Sequence, residues 1–516
     1  MRFSQGIKAA ALYAPAVTAI ATGQTTTKIQ APATVSVDAS QIVAHDFASF
    51  SIPIHFFADY AGNKSSPNEF SRDIIELLHK KTGAYPHIRV GGTSADRAIY
   101  NASQTESIIL SSEYDNGIPL EVYIGPTLFE GFESFPGVPW TFQVNLANNK
   151  SDALDNALAE ARVALSHIRE NLVAFEVGNE PDLYPGAVRP LDFSTADYVR
   201  EWTYFADAIS NEVLRGNSYG LDYWRIFQAL TFVFKGDGFS AAKAFNDGID
   251  DTGHVKTVSL HQYASGNQAW VRLQNSFMNH TAIAGNLTQY IPDMEATYAA
   301  DPSIEFLLGE TNSDYINLDM AQVEGVFGSS LWLLDYLLYG MSMGISRFNL
   351  IQGTTFGYAA WVPVENNGQR PGVRPPLYGQ LVAADVIGRH NKVHVKSLDL
   401  GLWDLSAYAV YESGVLARYV VINLDEWNAT TSYVRPTRKV SLSVPRGVIW
   451  GEITKLSGPG ASSDTGITWG GHSWNYTTHG RLGQFGKKQS TLVYPRSGLL
   501  NLDIFSTEAI VVELQR

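Results

Sequence analysis

The stretch LVAFEVGNEP, residues 172–181, decides how this chain folds. Leu172 to Val177 is a short, mostly apolar run of the length of one strand, and Pro181 ends its extended conformation with Asn179 and Glu180 at the C-terminal edge. Such a run reads as a strand covered on both faces, as in a parallel sheet. Seven more runs of this kind lie on either side: Phe47 to Ile54, Pro86 to Val90, Leu120 to Gly125, Arg225 to Leu230, Thr257 to Leu260, Ile304 to Leu308 and Ser346 to Leu350. Helical patterns separate them. One opens at Ser151 and Asp152 and runs to about Arg169, with Leu154, Leu158, Val163, Leu165 and Ile168 near helical spacing. Others run from about Thr195 to Leu214 and from Met320 to Met343. Eight strands alternating with helices predict an α/β fold, a (β/α)8 barrel over residues 47–390, whose chemistry sits at the C-terminal ends of its strands.

From about residue 400 the pattern changes to short alternating segments, among them LARYVVINL and AIVVELQR, divided by Gly, Pro and Asn turns. This predicts an all-β sandwich domain over 391–516. Residues 24–46, containing ATVSVDASQIV, read as strand that packs with that domain. The aromatic loop YAAWVPVENNGQRPGVRPPLYG, 358–379, is expected to wall the barrel mouth at its start and dock the β domain at its end.

With 516 residues, 45% hydrophobic and 12% aromatic, the chain can bury a large core and divides into two domains. Past the N-terminus no run of about 18 apolar residues reads as a membrane span. A formal charge of −14 argues against a nucleic-acid partner. The absence of cysteine excludes disulfides, thiolate catalysis and cysteine metal sites. Residues 1–23 carry Arg2 and Lys8 and then an Ala-rich stretch ending in small residues, the pattern of a secretory signal peptide. An extracellular location is therefore expected, with glycans on some of the sequons at Asn63, Asn101, Asn149, Asn279, Asn286, Asn428 and Asn475.

The sequence EFLLGETNSDY, 305–315, places Glu310 at the end of the seventh strand as GNEP places Glu180 at the end of the fourth. These strands face one another across a closed eight-stranded barrel, so the two carboxylates converge on one cleft. Two carboxylates flanking a glycosidic bond supply what its hydrolysis needs. Glu180 is assigned as acid/base and Glu310 as nucleophile, because an anionic Glu310 raises the pKa of Glu180 and keeps it protonated for the first step. Asn179 can donate its amide to the sugar 2-hydroxyl, and Tyr263 of SLHQY can donate its hydroxyl to Glu310. His55 and His261 lack metal-ligand or triad spacing and read as packed, hydrogen-bonded residues, and no metal or cofactor is expected.

GNEP at 178–181, GETNS at 309–313, RVGGTSAD at 89–96, Tyr315 and the late β domain together resemble glycoside hydrolase family 79, whose retaining barrel enzymes include β-glucuronidases, 4-O-methyl-glucuronidases and heparanases. The resemblance implies an exo-acting β-glucuronidase that removes terminal β-linked glucuronic acid or its 4-O-methyl form. It also implies that Tyr315 and Tyr358 hold the sugar carboxylate through their hydroxyls, helped by the backbone around Ile316 and Asn317, with Thr93 and His55 as further sugar contacts. The implied partner is a glucuronide, with no membrane or nucleic acid, and the chain is expected to act as a monomer. Three alternatives stay open: an endo-acting, heparanase-like enzyme, a glycosidase for neutral sugars, and an inactive carbohydrate-binding barrel. The chosen residues also have plainer readings. A strand-end Glu can be half of a structural ion pair, any of the 25 tyrosines can be a packed ring with a satisfied hydroxyl, and GGTSAD can be a tight turn.

Overall fold

A computed structural model of the protein describes residues 26–234, 238–266, 268, 270–315, 321–366 and 368–516. The leader expected over 1–23 lies outside the described residues. Eight parallel strands close into a barrel: β1 (Ala48–Pro53), β2 (Ile88–Gly91), β3 (Trp140–Val144), β4 (Leu172–Val177), β5 (Phe227–Phe232), β6 (Val255–Ser265), β7 (Glu305–Asp314) and β8 (Phe348–Ile351). Each pairs with the next, and β8 pairs with β1 to complete the ring.

The third strand is not the one expected. Leu120 to Gly125 contributes Val122–Ile124 to a small three-stranded sheet with Ala98–Tyr100 and Ile108–Leu110, an excursion between β2 and β3. Its Leu120 and Tyr123 are 42% and 38% exposed, as an outlying strand allows and a barrel strand does not. The true β3, WTFQV, is buried at all five positions, but Thr141 and Gln143 interrupt its apolar run. The cause is the barrel interior, which is polar. Arg89 donates to Ser51, Gln143 and Glu176, Gln228 donates to Glu176, and Thr257 donates to Gln228, all buried. The neighbouring strand positions Phe50, Val90, Phe142 and Phe175 belong to the core shared with the helices.

Helices α1 (Glu69–Thr82), α2 (Ala153–Ile168), α3 (Thr195–Ile209) and α4 (Phe327–Met343) are among those covering the barrel. α3 starts with a capping box, the Ser194 side chain accepting from Asp197 N while the Asp197 side chain accepts from Ser194 N. It ends at Ile209 in a π-helical turn, Ser210–Leu214, rather than running on as one α-helix. α2 begins after Asp152 with no side-chain cap, and α4 begins at Phe327, preceded by a separate turn at Ala321–Glu324, with Met320 outside the described residues.

The C-terminal region is two antiparallel layers. The larger sheet contains β9 (Leu405–Glu412), β10 (Val415–Asn423), β12 (Trp450–Ser457) and β14 (Glu508–Gln515), and the smaller contains β11 (Thr437–Ser443) and β13 (Leu499–Phe505). An N-terminal strand, Thr27–Ile29, joins the smaller sheet parallel to β11 with Thr27 opposite Val440, whereas the ATVSVDASQIV stretch expected as strand forms turns with a single bridge from Thr34 to Val415. Ile29, Leu405, Val421, Val440, Leu502 and Ile510 fill the space between the layers. The segment after β8 is not one loop to residue 379: Tyr358 is buried at the barrel mouth, and Tyr378, whose hydroxyl accepts from Trp474 N at 3.1 Å, lies on the helix Pro376–Ile387 that follows.

Candidate active site

Both carboxylates are delivered by backbone that only particular residues tolerate. After β4, Gly178 has φ of +81°, and a Cβ there would lie 2.8 Å from Leu146 Cβ and from the Tyr184 hydroxyl. Glu180 follows with φ 48° and ψ 54°, a left-handed conformation costing a non-glycine residue roughly 1–2 kcal/mol. Two partly buried aspartates brace this turn. Asp96 accepts from Asn179 N at 3.1 Å and from the Tyr184 hydroxyl at 2.6 Å. Asp182 accepts from Val233 N at 3.1 Å and from Phe234 N at 2.7 Å. On β7, a Cβ at Gly309 would sit 2.0 Å from Ser259 Oγ and 3.1 Å from its Cβ, so a side chain there would have to displace Ser259 just before Glu310.

One oxygen each of Glu180 and Glu310 and a ring nitrogen of His261 lie within 4.8 Å of one another. Glu310 Oε1 accepts from the Tyr263 hydroxyl and Oε2 from Arg89 Nη1, both at 2.5 Å. Glu180 Oε1 lies 2.9 Å from His261 Nδ1. Arg89, wholly buried, also donates from Nη2 to Glu176 Oε1 at 2.5 Å and to Asn179 Oδ1 at 2.7 Å. That last bond occupies the carbonyl of the Asn179 amide. It turns the NH2 towards Thr93 Oγ1, 3.5 Å away at the floor of the cleft.

The two carboxyls are driven apart electrostatically. Burial, then the charge of Glu310, push the pKa of Glu180 up to about 8. Burial also opposes ionisation of Glu310, but His261, Arg89 and the Tyr263 hydrogen bond outweigh it and hold this carboxyl below its ordinary value. Burial lowers His261 itself to about 4, so near neutrality its ring is uncharged and the permanent charge of Arg89 is the dependable support of the Glu310 anion. Burial likewise raises both bracing aspartates to about 7. Glu180, His261 and Glu310 could in principle share a cation, yet each donor atom but those left free on Glu180 and His261 is already engaged, and the guanidinium of Arg89 faces the same space.

Glu180, Glu310, Asn179, Tyr263, Tyr315, Tyr358, Thr93 and His55 all line one cavity of about 500 Å³. Tyr315 stands at its rim, 55% exposed and edge-on to Tyr263 with ring centroids 6.2 Å apart, whereas Tyr358 is buried. His55 is packed as expected but not hydrogen-bonded as expected, neither ring nitrogen having a protein partner among the described residues, and burial takes its pKa down to about 3. Asn317 and Ile316 lie outside the described residues.

The sequence profile of the glycosyl hydrolase family 79 C-terminal beta domain matches residues 407–511. A β-glucuronidase of Aspergillus niger is 33% identical over 477 residues, 88% of this chain and 87% of its own length. The chain belongs to glycoside hydrolase family 79. A second β-glucuronidase, from Neurospora crassa, is 30% identical over 86% of this chain and 88% of its own. The fold is shared with a 4-O-α-L-rhamnosyl-β-D-glucuronidase of Fusarium oxysporum in complex with Rha-GlcA, at a TM-score of 0.80 and 21% identity, covering 94% of this chain and 100% of that one.

In this family 79 hydrolase several residues at the site escaped the sequence reading. Arg89 stood inside the quoted RVGGTSAD without a role, although a charge within a buried strand run is a signal that it meets partners inside. His261 is packed and hydrogen-bonded as its sequence suggested, but its partner is Glu180. Asp96 closes RVGGTSAD and likewise stood there without a role, and Asp182 carries no local mark, because the backbone groups they hold come from other loops.

Proposed function

We propose that this glycoside hydrolase is a retaining, exo-acting β-glucuronidase. The observation that carries the mechanism is the approach of one oxygen of Glu180 and one of Glu310 to within 4.8 Å. Retaining enzymes hold theirs about 5–5.5 Å apart, whereas inverting enzymes need roughly 6.5–9.5 Å to admit a water. In the first step Glu310 attacks the anomeric carbon while Glu180 passes its proton to the departing oxygen. His261 steadies Glu180 Oε1, which leaves the other oxygen free for that transfer. Once Glu310 is esterified its charge is gone, the pKa of Glu180 falls, and Glu180 takes a proton from the water that releases the sugar. Tyr263 and Arg89 stabilise the carboxylate as it leaves again.

The glucuronyl specificity rests on the activity named for the Aspergillus and Neurospora relatives. Tyr315 and Tyr358 supply hydroxyls on the side of the cavity beyond Glu310, where neutral donors can bind a carboxylate without disturbing the catalytic pair. The same side is backed by Ile351 and Phe356, which favours a terminal sugar over a chain running through. We extend the proposal to an exported enzyme, for which the exposed sequons at Asn63, Asn101, Asn149 and Asn475 are available to glycans. The test is a set of aryl glycosides differing only at carbon 6, followed by proton NMR of the first-formed product. Preference for the glucuronide with β-glucuronic acid appearing first supports the reading, and equal turnover of the glucoside or first-formed α-product overturns it.

A further inference from the structure

The cavity has two unlike halves. Glu310 stands under the anomeric carbon and Glu180 beside the departing oxygen, so whatever leaves lies beyond Glu180, over the loops that follow β3, β4 and β5. Ala147, Leu183, Val188, Val233 and Phe234 project there, faced by Ile118 from the excursion after β2. Leu183, Val188 and Phe234 are 41%, 37% and 64% exposed, an apolar wall open for a ligand to cover.

The polar groups of this half are already engaged among themselves. Arg97 donates to the carbonyls of Ile118 and Pro119 and pairs with Asp115. The Tyr184 hydroxyl donates to Asp96. Asp182 accepts from Val233 N and Phe234 N, which ties the loop after β4 to the loop after β5 and sets the two apolar walls in place before any substrate arrives. A sugar in this position would need hydroxyl partners at every ring position, and a sulfated one would need free cations. At the rim, Asp115 is taken up by Arg97 and the amide of Asn116 remains.

We propose that the cleft beyond Glu180 is a leaving-group site for uncharged apolar ring systems, so that the preferred substrates are glucuronides of aromatic or alicyclic alcohols rather than of sugars. The inference rests on the glucuronidase reading above. Covering apolar side chains favours such a leaving group, and one well-placed methylene in an apolar pocket changes kcat/KM about tenfold or more.

The experiment compares two glucuronides whose leaving groups are primary alcohols of similar acidity, so that chemistry is matched and only binding differs: cyclohexylmethyl β-glucuronide and 6-O-β-glucuronosyl-galactose. Methyl β-glucuronide is the reference. The proposal expects kcat/KM at least about tenfold higher for the cyclohexylmethyl compound than for the galactose conjugate. It also expects Leu183→Ser and Phe234→Ser each to cut the cyclohexylmethyl-to-methyl ratio severalfold. Galactose conjugate turnover equal to or above that of the cyclohexylmethyl compound overturns it, as do ratios that both variants leave unmoved. The wild-type comparison decides the matter even where a variant fails to fold. If the wild-type enzyme hydrolyses no glucuronide at all, the glucuronidase reading has failed instead.

Discussion

Replacing Glu310 by Gln keeps the shape of the site and removes one charge, which isolates the interaction that gives the two carboxyls different tasks. Their nearest oxygens are within 4.8 Å, and at an effective dielectric of about 20 two unit charges at that separation repel by roughly 3 kcal/mol. That energy corresponds to a pKa change of about 2. Glu180, raised to about 8 in the native protein, should therefore fall to roughly 6 in Glu310→Gln. It should remain above its ordinary value of 4.5, because burial is the first cause of the rise and the substitution does not expose it. The variant will not turn over, so the assay is direct: carbon-13 NMR of a glutamate-labelled protein, with Glu180 assigned by comparison with Glu180→Gln. The trapped 2-fluoro-glucuronyl enzyme should show the same fall, since esterification also neutralises Glu310. A Glu180 carboxyl that still titrates near 8 in both species refutes the charge-coupling argument and leaves burial as its whole explanation.

Other consequences can be checked separately. The free enzyme needs Glu310 ionised and Glu180 protonated, so kcat/KM should hold a plateau from the ordinary carboxyl range up to about pH 8 and then fall about tenfold per pH unit. Tyr263→Phe removes a hydrogen bond to the Glu310 anion, and kcat should drop by about 10- to 100-fold while stability to urea changes little. Arg89→Met leaves Glu176 and Glu310 buried without their cation and should cost about 3–5 kcal/mol of unfolding free energy, unless both acids take up protons, which a shift of stability towards acid pH would reveal. Glu180, Asp96 and Asp182 all have pKa values raised on folding, to about 8, 7 and 7. A group of this kind stabilises fully below its unfolded pKa and loses that contribution as pH rises through its folded one. His55 and His261, lowered on folding to about 3 and 4, act in the opposite sense up to the ordinary imidazole range, so the decline of the urea midpoint should be read between about pH 7 and pH 8, and a midpoint that climbs across that window contradicts these shifts.

Much of the architecture could be read from short stretches. Runs such as LVAFEV and EFLL are mostly apolar over a strand's length, and GNEP marks where the chain leaves β4 just before Glu180, but β7 does not end at Glu310 as its sequence suggested: it runs on through TNSD to Asp314, paired with β6 as far as Ser265. The third strand was misplaced because the same criterion fails where a strand faces a polar interior. Gln143 accepts from Arg89 and Thr141 pairs with the buried His87, and the two break the apolar run of β3, while the partly exposed Leu120 to Gly125 mimics one. His261 and Arg89 were visible as residues but not as parts of the site, because their partners lie 81 and 221 positions away.

The two carboxylates and the barrel that carries them follow from local pattern, since strand length, apolar period and turn residues are properties of neighbours in sequence. What makes those carboxylates different from each other follows only from closure of the barrel. Burial raises Glu180, the guanidinium of Arg89 arrives from β2 and the hydroxyl of Tyr263 from β6, and the approach of Glu310 to within 4.8 Å sets the coupling. Desolvation and Coulomb energy depend on distance in space, and residues far apart along the chain acquire that distance only when the last strand pairs with the first.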